Sequence, residues 1–343
     1  MQNTRFKSLY NRIKRKLLAN LLLARVLLLS AILGLLISLI FISYKVVSPL
    51  SPYLFGQSLV GSLGRTNILL LGVRGEGQEG PDMTDTMIFA SIRHSDGQIT
   101  LISIPRDLWS DVIKTKVNSA YHLGFSKEAT SGGILLSKTA VSELSGTPVH
   151  YAVIVDFSLF TRFIDALGGV DIDVPNTFDD YKYPVFGKEN DPCDGDTQTL
   201  CRYEHLHFEK GLQHMDGVTA LKYVRSRQSA DLSEGTDFAR SRRQEQLISA
   251  VKLKLFSQPP KKYLELFRLV KSSVITDLSP QNYLPLGKIL FKSRKIPLQS
   301  YSINQDNILV NPAASEKYNY QWVLIPKGGD SKLIFDFFQK SLL

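Results

Sequence analysis

Residues 67–73 read NILLLGV, and two further apolar runs follow, MIFASIR at 87–93 and ITLISI at 99–104. The first is a short continuous apolar run, the pattern of a strand buried on both faces. Ser95-Asp96-Gly97-Gln98 separates the other two, and Asp-Gly between apolar runs signals a hairpin. Downstream, helical and strand patterns interleave: a helix over 133–144, a strand over 152–157, a helix over 160–167 stopped by Gly168-Gly169, then the alternating VDIDV at 170–174. The interleaving predicts an α/β domain layered around a mixed sheet.

Beyond that core the chain turns polar, Asp-rich and irregular over 175–203, which predicts an excursion loop or lid. Helical patterns return at 216–224 and 237–256, where Phe238, Leu247, Ile248, Val251 and Leu255 mark an apolar face. Pro259-Pro260 interrupts the pattern, and the tail offers a strand over 322–325 and a last helix over 332–342. There is no internal repeat or low-complexity tract.

Upstream lies a charge-sorted N-terminus. Seven of the 41 basic residues fall within 1–25, and no Asp or Glu precedes Glu76. Without those seven, the remaining 34 nearly balance 32 acidic residues, so the formal +9 is a local label and not a basic surface for nucleic acid. Residues 26–44 are uncharged and long enough to cross roughly 30 Å of hydrocarbon as one helix. The positive-inside bias then puts residues 1–25 in the cytoplasm as a basic tail and the C-terminal domain outside the cell membrane. A cleaved signal peptide is the alternative, but the run exceeds the usual apolar region and no small-residue cleavage site follows closely. Residues 45–66 read as a juxtamembrane linker and 67–343 as the extracytoplasmic domain, with a core at 67–256 and an extension at 257–343. At 43% hydrophobic and 21% charged residues, the chain suits a folded domain with a real core and excludes disordered, collagen-like and disulfide-scaffold classes.

Common catalytic signatures are missing: no G-x-S-x-G, no G-x-x-x-x-G-K-[ST] and no H-E-x-x-H. Arginine carries the signal instead. Arg106 follows a strand in SIPRD, Arg225 and Arg227 end a helix in YVRSR, and Arg240, Arg243 and Gln244 recur at i, i+3 and i+4, on one helical face. Several planar guanidinium forks suit a diphosphate, whereas ordinary salt bridges to Asp107 or Asp237 are the plainer reading. The loop GVRGEGQEGPDMTDTM adds Glu76, Glu79, Asp82 and Asp85, hard oxygen ligands of the kind Mg²⁺ takes together with phosphate, or else a solvated acidic turn. Cys193 and Cys201 share one polar loop, and an extracytoplasmic compartment permits them to pair; two free thiols are the alternative.

NILLLG, TDTM, SIPRDL, KVNSAYHLG, DFSLFTRFIDALGGVDIDV, MDGVTALKYVRSR and DFARSRRQEQ, in this order, resemble the blocks of the LytR-CpsA-Psr (LCP) family of membrane-anchored phosphotransferases. The resemblance covers about 67–256 and implies a three-layer α/β/α domain with a central mixed sheet and an apolar groove for a polyprenyl chain, after one N-terminal transmembrane helix. It implies transfer of a phosphate-linked glycan from a polyprenyl diphosphate carrier to an envelope acceptor, commonly a peptidoglycan sugar hydroxyl, with Mg²⁺ or Mn²⁺. A polyprenyl-diphosphate pyrophosphatase and a non-catalytic binding module for lipid-linked glycan are the alternatives. Carried over by residue, Asp85 matches a magnesium-binding aspartate, catalytic together with Arg106. Arg106, Arg225, Arg227, Arg240, Arg243 and Gln244 match the diphosphate-binding set, and Asp237 an acidic position that orients Arg240 or caps its helix. One departure stands out: many members carry a second metal-binding aspartate shortly after NILLLG, and this chain continues Val73-Arg74-Gly75-Glu76. Glu76, Glu79 or Asp82 would then have to supply the second carboxylate.

Overall fold

The computed structural model describes residues 7, 10–12, 14–16, 33–45, 58–75, 80–231, 233–304 and 307–343. Residues 33–45 form helix α1. Among the described residues no helix is long and apolar enough to cross a membrane. Residues 26–32 of the expected span, and Glu76 and Glu79, lie outside the described set. Two compact units divide the chain, and the fold below is that of Ser58–Ser279 with Pro285–Leu343.

In chain order it runs β1 (Arg65–Val73), β2 (Thr84–Arg93), β3 (Ile99–Ser103), the short pair β4 (Trp109–Ser110) and β5 (Thr115–Lys116), α2 (Ala120–Ser145), β6 (Tyr151–Asp156), α3 (Phe157–Leu167) and β7 (Val170–Val174). There follow β8 (Phe178–Pro184), β9 (Tyr203–Phe208), β10 (Gly211–Met215), α4 (Gly217–Arg225), α5 (Asp237–Phe256) and α6 (Pro260–Ser273). The chain closes with β11 (Ile275–Thr276), α7 (Pro280–Lys292), β12 (Gln299–Ser302), β13 (Leu309–Val310), β14 (Ile325–Pro326) and α8 (Lys332–Leu342).

Six strands form the central sheet in the order β11-β6-β1-β2-β3-β12. It is mixed: β1 runs parallel to β6 and antiparallel to β2, and β3 antiparallel to β2 and parallel to β12. The unbroken apolar run of β1 follows from its central place, because successive side chains point to opposite, equally covered faces. On one face Leu69, Leu71 and Val73 pack with Ile134 and Val141 of α2 and Ile334 and Phe338 of α8. On the other, Ile68 and Ile92 meet Leu286, Ile289 and Leu290 of α7, and Ile88, Ala90 and Leu101 meet Ile248 of α5. Helices thus cover both faces of the sheet. A further apolar cluster joins Ile164, Val170, Ile172, Phe178, Phe208, Tyr223 and Leu247, from α3, α4, α5 and the strands between them.

Three sequence expectations change. The helix expected from 133 starts at Ala120 and breaks at Glu128 and Ala129, where the backbone leaves helical geometry. Two segments fold together there, and a Cβ on Gly124 would meet the Gly132 carbonyl oxygen at 2.2 Å, so only glycine permits the approach. Second, the region 175–203 is not all loop: β8 pairs antiparallel with β9. The strand leaves no apolar alternation in the sequence, because Asp180 shares the interior with Phe178 and Tyr183 while Tyr181 and Lys182 face outward. Third, only Ile325 of the strand expected over 322–325 lies in β14; Leu324 makes a lone parallel bridge to Leu108.

Candidate active site

Val73 pairs with Thr84 and Ile88 with Ser103, so β1 and β3 end, and β2 begins, at one edge of the sheet. Asp85 therefore stands in the first residues of β2, and Arg106 emerges just past β3. Their mounts are fixed by hydrogen bonds: Thr84 Oγ1 donates to Asn118 O at 2.9 Å, and Gln244 Nε2 donates to Thr86 Oγ1 at 3.1 Å. The C-terminus of α4 delivers Arg225 and the N-terminus of α5 delivers Arg240 and Gln244 to the same edge.

The segment 226–236 between those helices carries Arg227, and two buried carboxylates that sequence reading missed hold it. Asp180 of β8 accepts from Ser226 Oγ at 2.7 Å and from the backbone N–H groups of Arg227 and Gln228, each at 3.2 Å. Glu234 accepts from Arg243 Nη1 at 2.8 Å and from Arg242 Nη2 at 2.7 Å. Arg243 also donates to the Ser226 carbonyl and lies over the Phe178 ring at 4.8 Å. The i, i+3, i+4 pattern on α5 therefore divides. Arg240 and Gln244 line the cleft, while Arg243, only 1% exposed, turns inward and clamps the loop. Thr236 caps α5, its hydroxyl accepting from Ala239 N, and Asp237, one residue later, pairs with Arg240 at 3.2 Å.

Five guanidinium groups, those of Arg74, Arg106, Arg225, Arg227 and Arg240, line one cleft of about 270 Å³ with Asp85 and Gln244. Asp85 is gripped from both sides: Arg74 Nε donates to Oδ2 at 3.0 Å and Arg106 Nη1 to Oδ1 at 2.8 Å. Burial would raise the Asp85 carboxyl, but the two guanidiniums outweigh it and hold the group below its ordinary value. Desolvation lowers Arg227, and Arg106 beside it adds to the shift; Arg240 is lowered by burial and by Arg106 and Arg227, against Asp237. Desolvation is the main cause in both, whereas Arg106 itself is raised, because Asp85, Asp107 and Asp237 outweigh its burial. Two buried donors at the cleft, Arg106 Nε and Arg240 Nε, have no hydrogen-bond partner among the described residues. Unsatisfied buried N–H groups favour an anionic ligand there. Arg225 is aimed by stacking 4.2 Å over Phe157 and by donating to Tyr183 Oη at 3.0 Å.

Besides a cavity of about 880 Å³ that shares Arg74, Phe157 and Phe186 with it, two more cavities meet this cleft. One of about 180 Å³ is almost wholly apolar, lined by Leu70, Ile88, Phe160, Leu221, Leu247 and Ile248, and shares Arg225 and Gln244 with it. The other, about 500 Å³, shares Asp85, Arg106 and Arg240 and extends past Asp107 and Asp237 to Asn304 and Trp322. The last two come from the C-terminal extension, in which sequence reading saw no site residue. Trp322, one of only two tryptophans in the chain, was the one available signal.

The expected metal fares differently. Mg²⁺ asks for one or two open carboxylates in tight octahedral geometry. Both Asp85 oxygens already accept from guanidiniums. Asp82 lines a neighbouring cavity and bonds His122 Nδ1 at 2.9 Å, and Asp107 is held by Lys116 at 2.7 Å and Arg106 at 3.5 Å. An ion on Asp85 would sit among Arg74, Arg106 and Arg240. Among the described residues the carboxylates, as arranged, do not fit Mg²⁺ or Mn²⁺; Glu76 and Glu79 lie outside that set. Away from the cleft, Cys193 and Cys201 form a disulfide with Cα atoms 5.6 Å apart in the loop between β8 and β9.

The model of the LytR_cpsA_psr family matches residues 56–323. The polyisoprenyl-teichoic acid–peptidoglycan teichoic acid transferase TagV of Bacillus subtilis is 29% identical over 194 residues, covering 54% of this chain and 42% of that protein. TagU of Bacillus cereus, of the same described activity, is 28% identical over 189 residues, covering 54% of this chain and 51% of its own. The chain thus spans about half the length of the curated relatives it matches. The crystal structure of B. subtilis TagV superposes with a TM-score of 0.56 at 24% identity, over 82% of this chain and 98% of that one, and supports the fold.

Proposed function

This chain belongs to the LytR-CpsA-Psr family, and on that premise we propose that it transfers a phosphate-linked glycan from a polyprenyl diphosphate to a cell-envelope acceptor, a peptidoglycan sugar hydroxyl. The observation that carries the reading is the convergence of five arginines on one cleft, with an apolar cavity opening on one side and a roomier one bearing Asp107, Asp237 and Asn304 on the other. The names of the curated relatives, which give a polyisoprenyl-linked teichoic acid and peptidoglycan as the two substrates, support the donor and acceptor classes.

In this reading the first prenyl carbons enter the apolar cavity, the diphosphate lies against Arg106, Arg225, Arg227 and Arg240, and the acceptor sugar takes the larger cavity beside Trp322. The acceptor oxygen bonds to the glycan-side phosphorus as the bond from that phosphorus to the bridging oxygen breaks. The electron pair stays on the bridging oxygen, and polyprenyl phosphate leaves. Asp107 and Asp237, on the wall of the acceptor cavity, are the carboxylates available for the hydroxyl proton. The arginines stabilise charge that grows on the bridging oxygen, and positioned electrostatics of this type carry most of a phosphoryl transfer. A polyprenyl donor lies in a membrane, and the cationic segment before the uncharged run at 26–44 supports a single-pass anchor with the folded unit outside. The paired cysteines agree with that compartment.

The test uses the full-length protein, a labelled polyprenyl-diphosphate oligosaccharide and peptidoglycan fragments. Label moving to the fragments, and failing to move with Arg106→Ala, is the expected result. Release of label without acceptor would make the chain a pyrophosphatase, and donor bound but unchanged would make it a binding module.

A further inference from the structure

Resting on the transfer reading above, the next step concerns which cation serves the site. Where the resemblance leads one to expect a metal-binding aspartate, this chain carries Arg74, one residue beyond β1. Its guanidinium is not a loose surface charge that happens to meet a carboxylate. The Val73–Thr84 pairing brings the backbones of β1 and β2 together immediately before Arg74 and Asp85. Directly after Arg74 the chain turns at Gly75, whose φ of +92° suits glycine and whose N–H donates to Pro81 O at 2.9 Å. Arg74 is therefore held between a strand ladder and the Gly75–Pro81 hydrogen bond, with Asp85 within reach of its Nε at 3.0 Å.

Asp85 has two oxygens and receives one guanidinium on each, Arg74 on Oδ2 and Arg106 on Oδ1. With its side chain only 19% exposed, it is enclosed by these partners. Arg74 also lines the cleft in its own right, beside Arg106, Arg227 and Arg240. A guanidinium offers a fixed positive charge and several donors matched to phosphate oxygens, so it supplies the neutralisation that a divalent ion would otherwise bring. It does so permanently, with no dependence on metal concentration.

We propose that Arg74 is the resident cation of this site: seated on Asp85, it takes the place of a divalent metal, and the chain works on a diphosphate with no ion bound to Asp85.

The experiment titrates the full-length protein with Mn²⁺, a paramagnetic stand-in for Mg²⁺, and follows the free-ion resonance signal in wild type, Asp85→Asn, Arg74→Ala and Arg74→Asp. The expected result is the same Mn²⁺ uptake in wild type and Asp85→Asn. Any ion retained by both sits elsewhere, for instance on the exposed Asp179, His205 and His207 cluster, and supports the proposal. Arg74→Asp puts a second carboxylate beside Asp85 and gains Mn²⁺ affinity by at least about tenfold, more than Arg74→Ala does. One Mn²⁺ taken up by wild type and lost in Asp85→Asn overturns the proposal, whether or not Arg74→Asp folds. Because the readout is ion binding, a failure of glycan transfer would sink the proposed function without altering this outcome.

Discussion

Arg240 and Arg243 sit three residues apart on α5 and serve different ends, and their partners decide which. Arg240 reaches the cleft with an unpartnered Nε, while Arg243 is buried against Glu234, itself 1% exposed, and two aromatic rings. Arg240→Ala should leave the melting temperature nearly unchanged and cut turnover by about 10²- to 10³-fold, the usual loss when one donor to a developing anion is removed; labelled-donor kinetics beside thermal melting would check both halves. Arg243→Ala should behave oppositely. It takes from the buried Glu234 carboxylate one of its two guanidinium partners and leaves Arg242 on it, at a cost of roughly 3 kcal/mol, and should lower the midpoint of chemical denaturation. A variant whose stability is untouched but whose turnover collapses would move Arg243 into the substrate-binding set. Helical spacing fixed that Arg240, Arg243 and Gln244 lie near one another, but 100° per residue is too coarse to say which of them faces in.

The hairpin of β8 and β9 shows one element with two faces. Inward, Asp180 and Tyr183 hold the loop carrying Arg227 and the side chain of Arg225. Outward, Asp179 Oδ1 lies 2.7 Å from His205 Nε2 and 2.8 Å from His207 Nδ1. Asp179, then Glu209, raises the His207 imidazole above its usual value, and His207, then His205, lowers the Asp179 carboxyl. The signs oppose. The raised histidine contributes stability in full below its unfolded value near 6.5 and loses it as pH rises through its folded value, whereas the lowered aspartate contributes above its unfolded value near 3.8 and loses it as pH falls through its folded value. The hairpin should accordingly be best protected between about pH 4 and 6.5. Amide exchange of Leu206 and Phe208, corrected for intrinsic rates, checks this, and His207→Gln should flatten the neutral side of the profile. The sequence read this region as loop, because the pattern rule looks for apolar alternation and Asp180 is buried for its hydrogen bonds, not for its polarity.

At the scale of the whole molecule, the segment after Pro259 is part of the fold and of the site. β12 extends the central sheet beside β3, Phe338 of α8 packs edge-on to Phe89 of β2 at 5.1 Å between ring centroids, and Arg65 of β1 donates to Leu342 O at 2.6 Å. Phe338→Ala should cost about 3–5 kcal/mol as a cavity opens in the core, measured by denaturant unfolding. The same segment brings Trp322 to the larger cavity, where its indole meets the ammonium of Lys116 at 5.9 Å while Lys116 holds Asp107. If that cavity receives the acceptor sugar, Trp322→Ala should raise the acceptor KM several-fold and leave donor binding alone; equal donor and acceptor effects would speak against the assignment. What the sequence determined by itself was the class of fold and the kind of chemistry. Runs such as NILLLGV and the hairpin after it encode a centrally buried sheet through local periodicity, and the ordered arginine blocks are legible because each is contiguous. What only the tertiary structure decided was convergence: that Arg74 lies on Asp85, that Arg243 clamps a loop, that Asp180 and Glu234 hold the arginine segment, and that Trp322 reaches the site. Those relations join residues from 8 to more than 200 positions apart, and they depend on strand register, helix rotation and burial, none of which leaves a periodic trace in the chain.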